Sequence, residues 1–295
     1  MRLMQLDPKL TWIIFCVEDG RFYVGDAEHA FGIPLHQPDA PSSLKADSLG
    51  GPCNLPLSPD VYDAFRRQSW HGFQFLDLES ARKAPAGDML RMLVFGPDYG
   101  DCLLHRATGM IFSLRGGSIQ MLSRDLKPIE KTKTRGRAVL AFAAHPTEGV
   151  IAYGDNFGTF HAQRFDAGKF GKATRIIVKE RKASRLEFAK DGSKLMIGGM
   201  GYLQTCSYTD GRFATLHETS IAVRDFVWIE DAQLVLVNQG MHGITALRYD
   251  DKGFTKLGEL KPPGAIQQLA AATDGKFIAV SDQDSGAISV YELSA

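Results

Sequence analysis

The sequence predicts an all-β protein built from one repeated unit of four short antiparallel strands. The clearest copy has apolar runs at Val139–Ala144, Val150–Gly154 and Thr159–Phe165, each closed by a turn that contains glycine or proline. A loose fourth run ends near residue 178, and the pattern restarts at Leu186–Ala189. Short apolar runs bounded by turn residues are typical of strands in a buried sheet, so the chain is expected to be a repeat protein.

The spacing of the repeats predicts the blades of a β-propeller. A period of about 40 residues with four strands per unit is typical of propeller blades, and the chain has room for roughly seven such units. We therefore predict one seven-bladed ring over residues 1–295, with degenerate blades in 1–100 and clear blades in 101–295. The second strands of the clear blades begin at Met110, Val150, Leu195, Leu234 and Phe277.

The last repeat ends after its third strand, Ile288–Leu293, and no residues remain for a fourth. An N-terminal strand, either Arg2–Leu6 or Trp12–Val17, is expected to supply it, because an unpaired edge would otherwise invite aggregation.

One insertion containing a helix is predicted near residues 34–70. This part of the chain is rich in proline and poor in regular pattern. Ser58 is a suitable N-cap and Pro59 a suitable first helical residue for a helix over Val61–Gln68.

The third strands carry a motif that resembles the WD40-like β-propeller family. Each ends in an aromatic residue followed closely by an acid, at Phe165-Asp166, Tyr208-Thr209-Asp210, Tyr249-Asp250 and Tyr291-Glu292. These pairs stand where the family has Trp-Asp, and the Asp-Gly pairs at 191 and 274 stand at its usual first turn. The chain has neither Trp-Asp nor the family's Gly-His pair. The resemblance implies a propeller whose blades lack the family's usual hydrogen-bonded tetrad.

A second resemblance concerns the N-terminal part. Leu49-Gly50-Gly51, Leu57–Tyr62 and Phe95–Asp101 are similar to segments of SUKH-type bacterial immunity domains. This alternative implies an α+β domain over residues 1–130, with propeller blades only in 131–295.

No catalytic motif occurs in the sequence: there is no Walker A loop, dinucleotide fingerprint, nucleophile elbow or His-Glu-x-x-His. The enzymatic alternative is a metal-dependent propeller hydrolase with a site assembled across blades in the central channel. Asp155, Asp282 and Asp284 follow second strands and supply the oxygen ligands that Ca²⁺ prefers, but Met200 and Met241 take the related places in the intervening blades. We predict no enzyme activity and no metal or cofactor.

Composition restricts the partners. Formal net charge is zero and the sequence pI is near 7.1, so neither a nucleic acid nor a membrane is expected. The basic runs 131–137 and 179–182 fall between repeats and are interpreted as solvated edges. With no export signal and no disulfide pattern among four cysteines, a bacterial-type cytoplasm is expected.

The turns between second and third strands carry large apolar residues where small polar ones are usual. On one rim of a propeller they would form a patch of the kind that marks protein interfaces, unless each ring folds back onto its own blade. The sequence therefore predicts a non-enzymatic protein-interaction scaffold, an adaptor or immunity protein that binds another protein such as a toxin or effector. Its predicted partner-binding residues are Phe157, Tyr202, Met241 and His242.

Overall fold

The computed structural model describes residues 2–5, 12–16, 21–25, 30–34, 91–92, 102–105, 107–108, 110–122, 128–134, 136–176, 178–179, 181–262, 264–272, 275–285 and 287–293. Over these residues the secondary structure is antiparallel β-sheet, with 3-10 turns at Glu230–Ala232 and Gly240–His242. The chain divides into two compact units. We call Gly72–Arg224 with Lys252–Phe254 the central unit, and Met1–His71, Asp225–Asp251 and Thr255–Ala295 the terminal unit.

The described residues of the central unit form three sheets, each a meander of consecutive strands. Its first sheet is Arg91–Met92 (β5), Cys102–His105 (β6), Met110–Arg115 (β7), Ser118–Leu122 (β8) and Pro128–Lys131 (β9). The second is Val139–Ala144 (β10), Val150–Asp155 (β11), Phe160–Asp166 (β12) and Lys169–Ile176 (β13). The third is Ala183–Phe188 (β14), Lys194–Gly199 (β15), Tyr202–Thr209 (β16) and Arg212–Thr219 (β17).

The terminal unit also contains three described sheets. One is Asp225–Ile229 (β18), Leu234–Asn238 (β19), Ile244–Asp250 (β20) and Gly253–Leu260 (β21). A three-stranded sheet is Trp12–Cys16 (β2), Arg21–Gly25 (β3) and Ala30–Pro34 (β4). The last is Ile266–Ala271 (β22), Phe277–Asp282 (β23) and Ala287–Glu292 (β24), which is completed by Arg2–Gln5 (β1).

The pairing of β1 with β24 confirms the predicted closing strand. Met4 and Gln5 lie opposite Ile288 and Ala287, so the first residues of the chain supply the fourth strand of the last sheet. The pairing covers an edge that would otherwise expose free backbone hydrogen-bonding groups.

The middle strands form the core because neighbouring sheets cover both of their faces. Every residue of β11 is buried, whereas every residue of the outer strand β13 except Ile176 is exposed or half-buried. In the central unit β10 packs beside β14, and the apolar side chains of those two sheets form one cluster that includes Phe160, Leu186 and Ile197. A strand covered on both faces needs a continuous apolar run, which is the pattern that the sequence shows.

Two histidines, one at the end of β6 and one just after β10, each link their own sheet to the next. His145 follows β10, and its Nδ1 accepts the backbone N–H of Glu148 at 2.9 Å and of Thr147 at 3.3 Å. The ring also lies close to Gly192 in the next sheet, where an added Cβ would be 2.0 Å from Nε2. The His145 ring lies against Tyr208 of that sheet, with ring centroids 5.0 Å apart.

His105 repeats this arrangement one sheet earlier. It ends β6, accepts or donates a bond with the Thr108 hydroxyl at 2.8 Å, and packs edge-on against Phe165 of the next sheet at 5.0 Å. The two aromatic residues are those of the third-strand motif. Their rings serve as contact surfaces for the preceding sheet, in blades that have no Trp-Asp pair.

The predicted blade period is confirmed, since β7, β11, β15, β19 and β23 begin at or next to the residues predicted for the second strands. The predicted helix over Val61–Gln68 lies outside the described residues. The SUKH-like alternative gains no support, because the described segments between residues 1 and 130 are strands of antiparallel sheets. Seven blades and the domain limits stay predictions.

Replacing Gly192 with alanine is expected to destabilise the central unit by about 2 kcal/mol or more. Gly192 has φ of +78°, and an added Cβ would lie 2.0 Å from His145 Nε2. Gly136 is the matched control, because it has φ of +81° and open space around its Cβ position. Gly136→Ala should cost only the backbone strain, about 1 kcal/mol. Equal losses for both variants in urea unfolding would show that the His145 contact contributes nothing.

The stability of the chain should fall as pH drops below about 6.5. Burial lowers the pKa of both His105 and His145, and for His145 it outweighs the carboxylates of Glu148 and Asp191, which raise it. As pH falls, these histidines are therefore protonated in the unfolded chain before they are protonated in the folded one. Their contribution to the free energy of unfolding is complete above the ordinary histidine pKa and is lost as pH falls toward their lower pKa in the folded chain. Urea unfolding between pH 8 and pH 5.5 measures the slope. His145→Asn, which keeps an acceptor near the Nδ1 position, should make it shallower, and an unchanged slope would contradict this origin.

Candidate functional site

The turn between β11 and β12 holds Phe157 in the solvent on a rigid base. The Asp155 carboxylate accepts the backbone N–H groups of Phe157 and Thr159, both at 2.9 Å. Gly158 supplies the positive φ of +83° that the turn requires, and its carbonyl accepts the N–H of Arg181 from the segment that enters the next sheet. The Phe157 side chain is 65% exposed although the carboxylate beneath it is buried.

Arg137 fixes the other side of this turn. Its Nη1 donates to Asp155 Oδ2 at 3.0 Å and to Thr159 Oγ1 at 3.2 Å, and its guanidinium lies 5.3 Å from the Phe157 ring centroid. His161 Nε2 lies 3.4 Å from the same Asp155 oxygen. Burial raises the pKa of Asp155, but the hydrogen bonds from Thr159, Arg137, Phe157 and His161 together outweigh that effect and lower the pKa overall. Asp155 is therefore an ionised anchor for the turn.

Tyr202 is not on the surface, so the expectation of an exposed ring at this position is wrong. The side chain is 1% exposed and packs over Gly199, where an added Cβ would lie 2.5 Å from the ring. Its hydroxyl donates to the Arg181 carbonyl at 3.3 Å, and the Arg181 guanidinium covers the ring at 5.0 Å from the centroid. The absence of a side chain at Gly199 makes room for the ring within its own sheet.

Met200 occupies the surface position at the turn between β15 and β16. It is 90% exposed, directly before Gly201, whose φ is +84°. Gly199, on its other side, accepts the N–H of Val223 through its carbonyl at 3.0 Å. The exposed apolar residue of this turn is therefore the methionine.

Met241 and His242 lie in the terminal unit, in the 3-10 turn Gly240–His242. Both are exposed, Met241 to 86%. The Asn238 side chain accepts the Gly240 N–H at 2.7 Å and replaces the aspartate of the β11–β12 turn. The structure thus brings the turns of Phe157 and Met200 to one edge of the central unit and presents Met241 and His242 on a turn of the other unit.

We call the edge of the central unit that carries these turns the connector face. It consists of the turns after β7, β11 and β15 and of the segments that lead from one sheet into the next. Backbone hydrogen bonds tie turn to segment at each step, Val139 N–H to Gly117, Arg181 N–H to Gly158 and Val223 N–H to Gly199. The residues of the face are 116–117, 132–134, 136–138, 156–159, 178–179, 181–182, 200–201 and 220–224.

The connector face is basic. From the sequence alone the two basic runs are interpreted as solvated edges, and their position beside the apolar turns is not predicted. Arg181 donates from Nη1 to Glu218 at 2.8 Å, and Arg137 is paired with Asp155. Lys133, Lys179 and Lys182 are exposed and form no ion pair with the described residues. The signal was in the sequence, since both runs fall in the segments that share an edge with the apolar turns.

Two of the three acidic residues considered for a calcium site, Asp155 and Asp282, cap their own turns. The Asp282 carboxylate accepts the hydroxyl of Ser285 at 2.6 Å and the N–H of Asp284 at 3.1 Å, within the terminal unit. An open cavity of about 350 Å³ lies there, lined by Pro262, Gly264, Ala265, Ile266, Val280, Ser281, Asp282, Asp284, Ser285 and Ser289. Among the described residues no three His, Cys, Asp or Glu side chains come together as a metal site, and no helix is long and apolar enough to span a membrane.

No protein-family model matches the sequence, and no curated protein matches it. The structure is similar to the Cps50 (Swd1) β-propeller domain from Myceliophteria thermophila, with a TM-score of 0.56 and 9% identity over 68% of this chain and 72% of that one. A protein from Lactobacillus plantarum gives a TM-score of 0.52 and 15% identity over 63% of this chain and 64% of its own. Together with the repeated four-stranded sheets, these similarities show that the chain has a β-propeller fold.

Proposed function

We propose that this chain is a non-enzymatic adaptor that binds another protein through its connector face. The observation that carries the proposal is the exposure of Phe157 and Met200 at two turns of neighbouring sheets, on one edge and on rigid supports. Turns of this type normally carry small polar residues, and large apolar side chains exposed to water are unfavourable unless a partner covers them.

Arg181 connects the two turns. Its N–H bonds to Gly158, next to Phe157, and its guanidinium covers Tyr202, two residues after Met200. The face is therefore organised before any partner arrives, which reduces the conformational entropy lost on binding. Aromatic residues, methionine and arginine are the residue types enriched at protein interfaces, and all three occur here.

The hypothesis that the partner is a toxin depended on the resemblance of residues 1–130 to a SUKH domain. That resemblance is not supported. We therefore propose the adaptor form, in the cytoplasm, with no cofactor. Met241 and His242 offer a further contact point on the terminal unit.

The double variant Phe157→Ser, Met200→Ser should weaken partner binding by about 30-fold or more, because two buried apolar anchors that contribute about 1 kcal/mol each amount to about 2 kcal/mol. Ile129→Ser with Leu216→Ser is the matched control, since it removes two exposed apolar side chains from the outer strands β9 and β17. Tagged wild type and both variants are used to capture proteins from a lysate of the source organism, with quantitative mass spectrometry.

The expected result is a protein enriched near stoichiometry with wild type and control and lost with the Phe157, Met200 variant. Thermal unfolding of all three chains shows whether they are folded alike. Retention of the same protein by the Phe157, Met200 variant, or enrichment of no protein, would contradict the proposed function.

A further inference from the structure

We infer that the partner presents an acidic segment to the connector face, with carboxylates against its lysines and arginines and an apolar side chain against Phe157. This inference rests on the proposed function and adds the chemical class of the partner. It follows from the charge balance of the face and from the geometry around one ring.

Among the described residues of the face, the cations outnumber the available carboxylates. Lys133, Lys179 and Lys182 are exposed and have no ion pair with the described residues. The two acids that touch the arginines are already used, Asp155 beneath the turn and Glu218 beside Arg181. A chain with zero formal net charge thus concentrates positive charge where it also exposes apolar side chains. Such a patch attracts and orients an acidic partner.

Arg137 shows how a carboxylate and an apolar side chain would share this site. Its guanidinium covers one face of the Phe157 ring, while Nη1 is held by Asp155 and Thr159. The arginine side chain is still 46% exposed, and the guanidinium has five N–H donors in all, so others remain for a carboxylate. The uncovered side of the Phe157 ring is the place for an apolar side chain of the partner.

A nucleic acid fits these observations less well. Binding to single strands relies on several aromatic rings that stack on successive bases along a basic groove. Phe157 is the one aromatic among the large apolar side chains exposed in the described part of the chain, and Arg137 covers one of its faces. Met200, the other large apolar residue exposed among the described residues of the face, offers no ring for stacking.

A selection experiment identifies the chemistry of the partner without knowing its name. Random peptides of about 12 residues, displayed on phage, are selected on the wild-type chain and on the Phe157→Ser, Met200→Ser variant. The expected peptides are enriched on wild type only, carry a net charge of about −3 or lower, and contain an aromatic or aliphatic anchor.

The selected peptide is then titrated by fluorescence anisotropy against two further variants. Lys179→Gln with Lys182→Gln should weaken binding by about 5- to 10-fold at low salt, and added salt should weaken binding to wild type. Lys169→Gln with Lys172→Gln removes the same charge from the exposed outer strand β13 and should leave binding unchanged.

The outcomes separate the two proposals. If the selected peptides need Phe157 and Met200 but are neutral or basic, the inference of an acidic partner is overturned. The same holds if they bind both lysine variants with equal affinity. In either case the proposed binding face itself is not contradicted. Enrichment that does not depend on Phe157 and Met200 would overturn the proposed function itself. Tight binding of a single-stranded oligouridine probe that is lost in the Lys179, Lys182 variant, with no acidic peptide selected, would overturn the inference in favour of RNA.

Discussion

The burial of each sheet against the next is the interaction on which the rest of this structure depends. A four-stranded sheet of this kind has apolar side chains on both faces of its middle strands and cannot cover them alone. In the central unit β10 lies beside β14 and contacts β6, and the side chains between these sheets form continuous clusters. His105 and His145 add polar links at the ends of these strands. Because both rings are buried, their neutral form is the one that the fold requires.

The same arrangement explains why the connector face is rigid. Each turn on that edge bonds through its backbone to the segment that enters the next sheet, so the contacts between sheets also fix the turns. Phe157 stands above a buried carboxylate that holds two N–H groups of its turn and one arginine. Exposed apolar residues can be displayed in this way without loss of structure, because the polar groups of the turn are satisfied within the protein.

The sequence predicted the strands well because their determinants are local. Continuous apolar runs closed by Asp-Gly or similar turns locate the first residues of β11, β15, β19 and β23 to within one residue. Counting strands to the chain end predicted that an N-terminal strand, Arg2–Leu6 or Trp12–Val17, completes the last sheet. Tyr202 was misplaced because its environment is not local. The direction of a ring in that turn depends on two other residues. Gly199 of β15 pairs with Tyr202 of β16, and Arg181, from the segment that leads into this sheet, covers the ring.

The charge of the connector face shows a similar limit. The two basic runs were visible in the sequence, but their relation to Phe157 and Met200 depends on which loops share an edge, a property of the folded repeat. In the absence of a matching family, these residues had no motif to identify them as a site.

Hydrogen–deuterium exchange on the complex tests the central claim, that the connector face of the central unit is the binding surface. The account predicts that partner binding slows exchange in the turns around Phe157 and Met200 and in residues 178–182, and leaves the outer strands β13 and β17 unchanged. Protection confined to those outer strands, or to the opposite turns around Gly168 and Gly211, would contradict it.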